Sequence, residues 1–565
     1  MKRNRPLLYI DRIMASKSWK QLGFALILFL IILVGVTLYY WISTNGTFGD
    51  NIARSFVYLT NQDSLRDEVK SSDNHILNNR RVWEFAFVYL VGTVVFTGIL
   101  IATITNIVRT RSNKFRRGSV GYKFRKHVVF LGYNSLIAGV IQKLCEEDEN
   151  LRIVVGVEDD ASMISDKIKN RVWKAFRSNV VVLKADSCNR EDLERLRVPY
   201  AKEVFIIGEH DDAYNLKCYR TIYELSLCEP SSTNRMPQCY VNLQSQSTLT
   251  LFRTYASAGE IGVDFTNFHA FNFKDEWASG LLLNNSARFN NNKECHNHII
   301  IAGMTEMGVF IAQEAVLLCH YPNIFTTITF IDDAAETRKK DFIAQHQKLF
   351  NHGDMLDIDF DFVESGLSDE KVRMDISADS DDSSKVTTIA ICYDDYQQNI
   401  TLGLNLPEKI YGNNNVGVWV YQPTSSDIGK YLKNSHYENV ITFGMSGDLL
   451  DIRNRKNTQI AKRINHYFRR CNEDKIDYSN QRLIEMEWEE ISISERWLCL
   501  RRAAFTAVLS QYKQDFSMMV DLERRRTVAE KMLFPSETDE PTDYNKYIKS
   551  IKDEICPDIF NNVKL

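Results

Sequence analysis

The sequence predicts a two-span α-helical membrane domain, followed by two α/β domains with parallel sheets and a helical C-terminal region. Three observations predict this fold. Two charge-free apolar stretches lie near the start of the 565-residue chain, a series of short strands and amphipathic helices begins at His127, and a similar series begins again at His298. The net charge of −4 argues against a nucleic-acid partner, because neutralising phosphates requires a concentrated positive face.

The two apolar stretches are residues 22–42 and 85–108, and neither contains a charge. Each reaches the ~20 residues that a helix needs to cross a bilayer. Basic residues precede the first stretch and follow the second, which places both termini in the cytoplasm. We therefore expect a multi-pass protein of the cell (plasma) membrane, with a cytoplasmic N-terminus at residues 1–20, the membrane domain at 21–109 and a basic linker at 110–126.

The segment between the spans predicts a short helix at residues 51–59, with Asp50 as its N-cap. Thr60, Asn61, Gln62 and Asp63 follow it. No glycine occurs between Gly49 and Gly92, so a potassium-type filter of stacked backbone carbonyls is not predicted. Taken without any resemblance, this segment is interpreted as a small exterior helix on a two-span anchor.

Near-continuous apolar strands alternate with amphipathic helices from HVVFLGY to QCYVNLQ, and this alternation indicates a parallel sheet covered on both faces. The repeated strand–helix order is typical of a doubly wound, Rossmann-like domain, which we place at residues 127–292. After the polar string NNSARFNNNKECHN the series restarts with HIIIAGM. A second domain of the same kind is predicted at residues 293–446.

Two further segments complete the chain. The acidic, Ser-rich run DISADSDDSSK at residues 375–385 is typical of a solvated loop. Residues 447–565 form the C-terminal region, with a charged helical pattern through Phe516 and polar sequence beyond it. The eleven cysteines contain no C-x-x-C pair or zinc-like spacing, so we expect free, mostly buried thiols on the reducing side and no metal site.

Together, the two spans, the linker NKFRRGSVGYKFRK that runs directly into HVVFLGY, and the tandem domains resemble the CASTOR and POLLUX type of ion channel. They also resemble the wider class of channels gated by RCK (TrkA-N-like) domains. The string VVLKADSCNREDLERLRVPYAKEVFIIGEHDDAYNL is similar to the third and fourth strand units of RCK domains. This likeness extends to about Gly444, and AKRINHYFRR with SERWLCLRRAA resembles a RyR-type repeat.

The resemblance implies a homo-tetramer in membrane lipid that conducts inorganic cations and is gated by a cytoplasmic ring of RCK-like domains. Thr60, Asn61, Gln62 and Asp63 would line the pore. A non-conducting, membrane-anchored nucleotide (NAD) sensor or scaffold is the alternative. An enzyme is not predicted, because no residue set for proton or hydride transfer accompanies the isolated His210.

A dinucleotide site needs glycines in the first strand-to-helix turn and an acid at the end of the second strand. In the second domain Gly303, Thr305 and Gly308 approach this pattern, and Asp332 ends the second strand. The sequence therefore predicts NAD or another adenine nucleotide as cofactor, with the second domain preferred. A glycine loop that only maintains the fold is the alternative.

The first domain departs further from the dinucleotide pattern. It keeps Gly132 but has Asn134 and Ile137 at the other two positions, where side chains would crowd a pyrophosphate. Glu158 and Asp186 follow its second and third strands. These carboxylates would hold a ribose or a cation, or would simply be solvated at the ends of their strands.

Overall fold

The computed structural model describes residues 18–43, 47–60, 105, 124–208, 211–228, 236–255, 267–289, 296–351, 356–423, 432, 436–445, 455–473, 475–534, 541 and 543–561. Most of the predicted second span, the predicted pore residues Asn61, Gln62 and Asp63, and His210 lie outside these residues. The chain divides into two compact units, Met1–Val120 and Gly121–Leu565.

In the first unit, helix α1 (Ser18–Ser43) contains the first apolar stretch and helix α2 (Phe48–Thr60) contains the predicted short helix. Within the described residues, none of the helices is long and apolar enough to traverse a bilayer. The expectation for Asp50 was wrong: it lies in the first turn of α2, and Thr47 takes the capping position. The Thr47 hydroxyl donates to the Asp50 carboxylate at 2.5 Å. The backbone carbonyl of Thr47 accepts from the Asn51 amide at 3.2 Å.

The second unit begins with a six-stranded parallel sheet in the order β3-β2-β1-β4-β5-β6. Its strands are Val128–Leu131, Ile153–Val157, Val180–Lys184, Glu203–Ile206, Gln238–Asn242 and Phe268–Phe271. Its helices are α3 (Ile137–Glu147), α4 (Ala161–Arg171), α5 (Arg190–Arg195), α6 (Asp212–Cys228), α7 (Gln246–Tyr255) and α8 (Phe273–Asn284). This order confirms the predicted doubly wound domain.

A second six-stranded parallel sheet has the order β12-β11-β10-β7-β8-β9. Its strands are His296–Ala302, Thr326–Asp332, Ile358–Glu364, Lys385–Ile391, Val416–Tyr421 and Val440–Phe443. The short helix α9 (Ser286–Phe289) precedes β7, and α10 (Glu306–Leu318), α11 (Ala335–Gln345), α12 (Gln347–Phe350), α13 (Glu370–Asp381) and α14 (Tyr396–Leu404) connect the strands. The tandem α/β repeat is thus confirmed, and in each sheet the strand order reverses beside the first strand.

The acidic run is not the solvated loop that its composition predicts, because residues 375–381 form the end of α13. The Asp369 side chain caps this helix, and Val372 and Ile376 bury one face of it. Asp379 contacts the His298 ring at 2.5 Å and the Lys385 ammonium at 2.6 Å. Periodic apolar residues and these ion pairs outweigh the polar composition.

The C-terminal region is helical as predicted, and regular helix also continues beyond Phe516. Its helices are α15 (Arg455–Arg470), α16 (Gln481–Glu490), α17 (Ile493–Leu509), α18 (Phe516–Leu533), α19 (Tyr544–Ser550) and α20 (Pro557–Asn561). Helix α17 packs against α7 and α8 of the first domain, whereas α18 packs against α10 and α12 of the second. One apolar core therefore runs through the first domain, part of the second and the C-terminal helices.

Candidate functional site

A cavity of about 540 Å³ lies at the carboxyl edge of the first sheet, where the strand order reverses between β1 and β4. Ligands of open α/β sheets bind at such a switch point, and this volume lies within the range of small-molecule sites. Residues of both α/β domains line it: Asn134, Ser135, Leu136, Gly208, Asp211, Asp212, Asn242, Gln244, Ser245, Asn272, Phe273, Lys274, Trp277, Glu306, Tyr421 and Pro423.

The turn after β1 shows why Asn134 does not block this cavity. Its side-chain oxygen accepts from the Leu136 amide at 3.0 Å, and its side-chain nitrogen donates to the Ile207 carbonyl at 3.4 Å. Gly132 has φ +92, and a Cβ there would lie 2.3 Å from the Gly208 Cα. Asn134 thus stabilises the turn, and the predicted Gly132 serves the close approach of two loops.

Three polar side chains hold the neighbouring loops together. The Asp212 carboxylate accepts from the backbone amides of Gln244 at 2.6 Å and Ser245 at 3.0 Å. The Gln244 side chain donates to the Gly208 carbonyl at 3.2 Å. Asn272 caps α8 and donates to the Gln244 carbonyl at 3.0 Å. The ends of β4, β5 and β6 therefore form one hydrogen-bonded wall.

The second domain supplies the opposite wall. The Lys274 ammonium contacts the Glu306 carboxylate at 2.5 Å, and the ring centroids of Trp277 and Tyr421 lie 6.1 Å apart. Burial raises the pKa of Tyr421, so its phenol is neutral. Trp277 is 4% exposed, and its indole N–H has no acceptor within the described part of the chain. The cavity thus combines an aromatic wall and a charge pair.

Several helices begin at this cavity, which gives it a positive electrostatic contribution independent of side-chain charge. Helix α6 starts at Asp212, α8 at Phe273 and α10 at Glu306. All three residues line the cavity. Backbone amides at helix N-termini carry partial positive charge and bind anions. Lys274 is the basic side chain of this lining, but it is paired with Glu306, and Asp211 and Asp212 add negative charge. The donors offered to a phosphate are therefore chiefly the backbone amides at these helix starts.

In the second domain, close backbone contacts explain why the predicted loop has glycine at positions 303 and 308. Gly303 has φ +94, and a Cβ at Gly308 would lie 2.4 Å from the Gly303 carbonyl oxygen. The Thr305 hydroxyl accepts from the Gly308 amide at 3.5 Å and donates to the Cys392 carbonyl at 2.6 Å. These residues close the turn, as the fold-maintaining alternative requires.

Asp332 lies at the end of β8, as predicted, but its carboxylate is already engaged. One oxygen accepts from the Met304 amide at 2.8 Å and from the Arg338 guanidinium at 2.7 Å. The other accepts from the Ala334 amide at 2.9 Å, and Asp332 is 5% exposed. A ribose hydroxyl would have to displace Arg338. Binding of a nucleotide in the second domain stays a prediction.

The structure brings Glu158 and Asp186 together around one phenol. The Tyr214 hydroxyl donates to the Glu158 carboxylate, and its oxygen lies 3.1 Å from the Asp186 carboxylate. Burial, and then the hydrogen bond to Glu158, raise the pKa of Tyr214. Neither acid lines the cavity, nor do the other five predicted cofactor residues.

Sequence reasoning missed Lys274, Trp277, Glu306 and Tyr421. The first two follow β6, a strand of only four residues that the apolar pattern does not predict. The signal that was available is Asn272 followed by FKDEWASGL, an N-cap before a helix with acids in its first turn. The other two belong to the second domain and reach the cavity only through the packing of the two domains.

No protein-family model matches the sequence, and no curated protein is significantly similar to it. Among solved structures, GsuK bound to ADP is 12% identical with a TM-score of 0.45, covering 78% of this chain and 98% of that one. The GsuK channel bound to NAD is 10% identical with a TM-score of 0.46, covering 78% and 84%. The GsuK RCK domain is 11% identical with a TM-score of 0.33, covering 58% and 76%. With these TM-scores, the fold assignment depends on the strand order of this chain itself.

Proposed function

We propose that this chain binds an adenine nucleotide in the cavity of the first α/β domain and thereby regulates a cation-conducting, channel-like membrane protein. The observation that supports the binding site is the position of the cavity at the strand-order reversal of the first sheet, closed by residues of the second domain. A ligand there would contact both domains at once.

The chemistry of the lining fits a nucleotide. Trp277 and Tyr421 offer aromatic surface to a base. Lys274 and the adjoining helix N-termini suit phosphates. Asp211 and Glu306 are acceptors for ribose hydroxyls. This proposal departs from the prediction of a second-domain site, because Asp332 is occupied by Arg338.

A nucleotide would regulate the protein by changing how often each arrangement of the two α/β domains is populated. A nucleotide that binds one arrangement of the two α/β domains more tightly shifts the equilibrium toward it, by no more than its difference in affinity. We propose that four chains form an RCK-like cytoplasmic ring and that the linker before β1 transmits its changes to the membrane domain. The proposal contains no catalytic step.

The membrane part of the proposal is supported by the two charge-free stretches and by the surface of α1. Leu30, Ile31, Val34 and Leu38 are exposed apolar side chains of this helix, at 47%, 63%, 51% and 40%. Such a surface is stable in lipid. Four copies of Asp63 around one axis would attract cations without a carbonyl filter. The absence of glycine from residues 50–91 favours the alternative, a membrane-anchored sensor or scaffold that does not conduct.

Calorimetric titration of the detergent-purified full chain with ADP and with NAD tests the site. Lys274→Met should raise the Kd at least about tenfold, because a charged phosphate contact is worth roughly 1.5–3 kcal/mol. Arg338→Met in the second domain is the matched control and should leave the Kd unchanged. The reverse result would move the site to the second domain.

Ion flux in liposomes separates the two functional alternatives. Nucleotide-dependent cation flux supports a channel. Nucleotide binding without flux, at any nucleotide concentration, supports the sensor or scaffold.

A further inference from the structure

Two thiols meet beside the Glu158–Tyr214–Asp186 group. Cys188 lies in the turn after β3 and is partly exposed, whereas Cys218 lies in α6 and is buried. The Cys218 thiol donates to the carbonyl of Ser187, the neighbour of Cys188, at 2.9 Å. The Cys188 thiol donates to the carbonyl of Tyr214, one helical turn before Cys218, at 3.7 Å. Each sulfur therefore contacts the backbone of the element that carries the other.

The two thiols differ in acidity. The pKa of Cys188 is lowered, first by its contact with the Cys218 thiol and further by Tyr214 and Lys217, against burial and Asp186. The pKa of Cys218 is raised well above its ordinary value, first by burial and then by Cys188. Of the two thiols, the partly exposed Cys188 therefore loses its proton more readily, while the buried Cys218 keeps its proton. This division is that of an attacking and a resolving cysteine.

Other described cysteines lack this environment. Burial alone raises the pKa of Cys239, Cys319 and Cys392, and burial also raises that of Cys145, to about 11. A neutral, enclosed thiol reacts slowly with oxidants. The Cys188–Cys218 pair is thus chemically distinct among these cysteines.

We propose that Cys188 and Cys218 form a reversible dithiol–disulfide site that reacts with hydroperoxides. With hydrogen peroxide, the Cys188 thiolate attacks one oxygen, the O–O bond breaks, and Cys188 becomes a sulfenic acid while the other oxygen leaves as hydroxide and takes a proton from solvent to form water. An alkyl hydroperoxide releases its alcohol in place of this water. The Cys218 sulfur then attacks the Cys188 sulfur, so that the S–S bond forms and the sulfenic hydroxyl leaves as a second water. The two thiols lose two electrons and two protons, and the peroxide gains them.

Because Cys188 and Cys218 lie on different elements, a disulfide between them would change how these elements are connected. The disulfide removes the Cys188 donor from the Tyr214 carbonyl and ties the turn after β3 to α6. That turn is held by the Asp186 carboxylate, which accepts from the Cys188 amide at 2.8 Å. Disulfides of this kind in a reducing compartment are transient and redox-sensing.

The test is peroxide treatment of the reduced, detergent-purified full chain, followed by alkylation and peptide mapping by mass spectrometry. The expected product links the peptides of Cys188 and Cys218 and disappears after treatment with dithiothreitol. Linkage of Cys188 to any other cysteine would overturn the proposal. So would a Cys188 that stays reduced at peroxide concentrations that oxidise an equal amount of N-acetylcysteine.

Variants provide a second readout. Cys218→Ser should leave Cys188 as a sulfenic acid that a dimedone probe labels, while wild type shows little labelling because the disulfide forms. Cys145→Ser is the matched control and should behave as wild type. Equal dimedone labelling of wild type and Cys218→Ser would show that Cys218 does not resolve the sulfenic acid, and would overturn the pair. The wild-type mapping needs no substitution, so it stands even where a variant folds poorly.

Discussion

The Arg501 guanidinium lies 2.6 Å from the Asp275 carboxylate, and both side chains are almost fully buried, at 9% and 3% exposure. Arg501 belongs to α17 and Asp275 to α8, the helix that carries Lys274 and Trp277. The guanidinium also contacts Glu314 of α10 at 3.1 Å. Burial opposes its charge, but Glu314 and Asp275 raise the pKa of Arg501 above its ordinary value. One arginine of the C-terminal region thus joins both helices that frame the cavity.

Replacing Arg501 with methionine should destabilise the chain by about 3–5 kcal/mol, because it removes the guanidinium that lies between two buried carboxylates. The midpoint of urea unfolding, followed by circular dichroism, measures this. Arg469→Met is the control. Its ion pair with Glu490 at 2.7 Å is exposed, so its loss should cost less than about 1 kcal/mol. Equal shifts for the two variants would contradict the bridging role.

Gly308→Val should destabilise the second domain by at least about 1–3 kcal/mol, because a Cβ at this position would lie 2.4 Å from the Gly303 carbonyl oxygen. Thermal unfolding measures the effect. Gly366→Ala is the control, since its Cβ meets only a side-chain oxygen of Asp333 at 3.2 Å. A Gly308→Val protein that melts like wild type would show that the turn has more room than these distances allow.

Acid should destabilise the second unit through His320. Burial is the main cause that lowers its pKa to about 3, and Arg526 and Arg525 lower it further. The unfolded chain therefore takes up a proton near the ordinary value of 6.5 while the folded chain does not, and stability falls as the pH drops from 6.5 toward 3. Urea midpoints of His320→Phe should fall less steeply than those of wild type between pH 6.5 and 4.5. If the urea midpoints of the two proteins fell in parallel between pH 6.5 and 4.5, His320 would not be a cause of the acid destabilisation.

Cation selectivity should depend on Asp63 if residues 60–63 line a pathway. Without a carbonyl filter, an acidic ring attracts cations but distinguishes potassium from sodium poorly. Asp63→Asn should reduce conductance or cation selectivity in planar bilayers under mixed potassium and sodium gradients. Asp73→Asn, nearer the second apolar stretch, should change them less. Strong potassium selectivity, or no effect of Asp63→Asn, would place the filter elsewhere.

Local pattern was sufficient for most of the α/β fold. Apolar runs predicted most of the first five strands of each sheet, because buried parallel strands are apolar along their length. Ile358–Glu364 was predicted from the alternation of apolar and acidic residues, which suits its partly exposed position. The sixth strands, Phe268–Phe271 and Val440–Phe443, lie at sheet edges, and their middle residues are not buried, so they lack the continuous apolar run that marks the equally short first and fourth strands. The acidic end of α13 was missed because its charges are paired across the fold with His298 and Lys385.

The site was less predictable, for a different physical reason. Asp332 was found at its strand end, but its partner Arg338 lies on α11, which the sequence analysis did not identify. Lys274 and Glu306 are 32 residues apart and meet only after the domains pack. Arg501 and Arg526 stand in a charged helical pattern that suggests a surface, and only tertiary pairing shows that they are buried.

The Arg501–Asp275 contact also bears on how the chain is made. The two residues are separated by 226 positions, so at about 5–20 residues per second a ribosome releases Arg501 roughly 10 to 45 seconds after Asp275. During that interval the carboxylates of Asp275 and Glu314 lack the guanidinium of Arg501. The helices that frame the cavity therefore cannot reach their final packing during early synthesis. A nascent chain truncated before α17 is expected to depend on chaperones although both of its sheets are already complete.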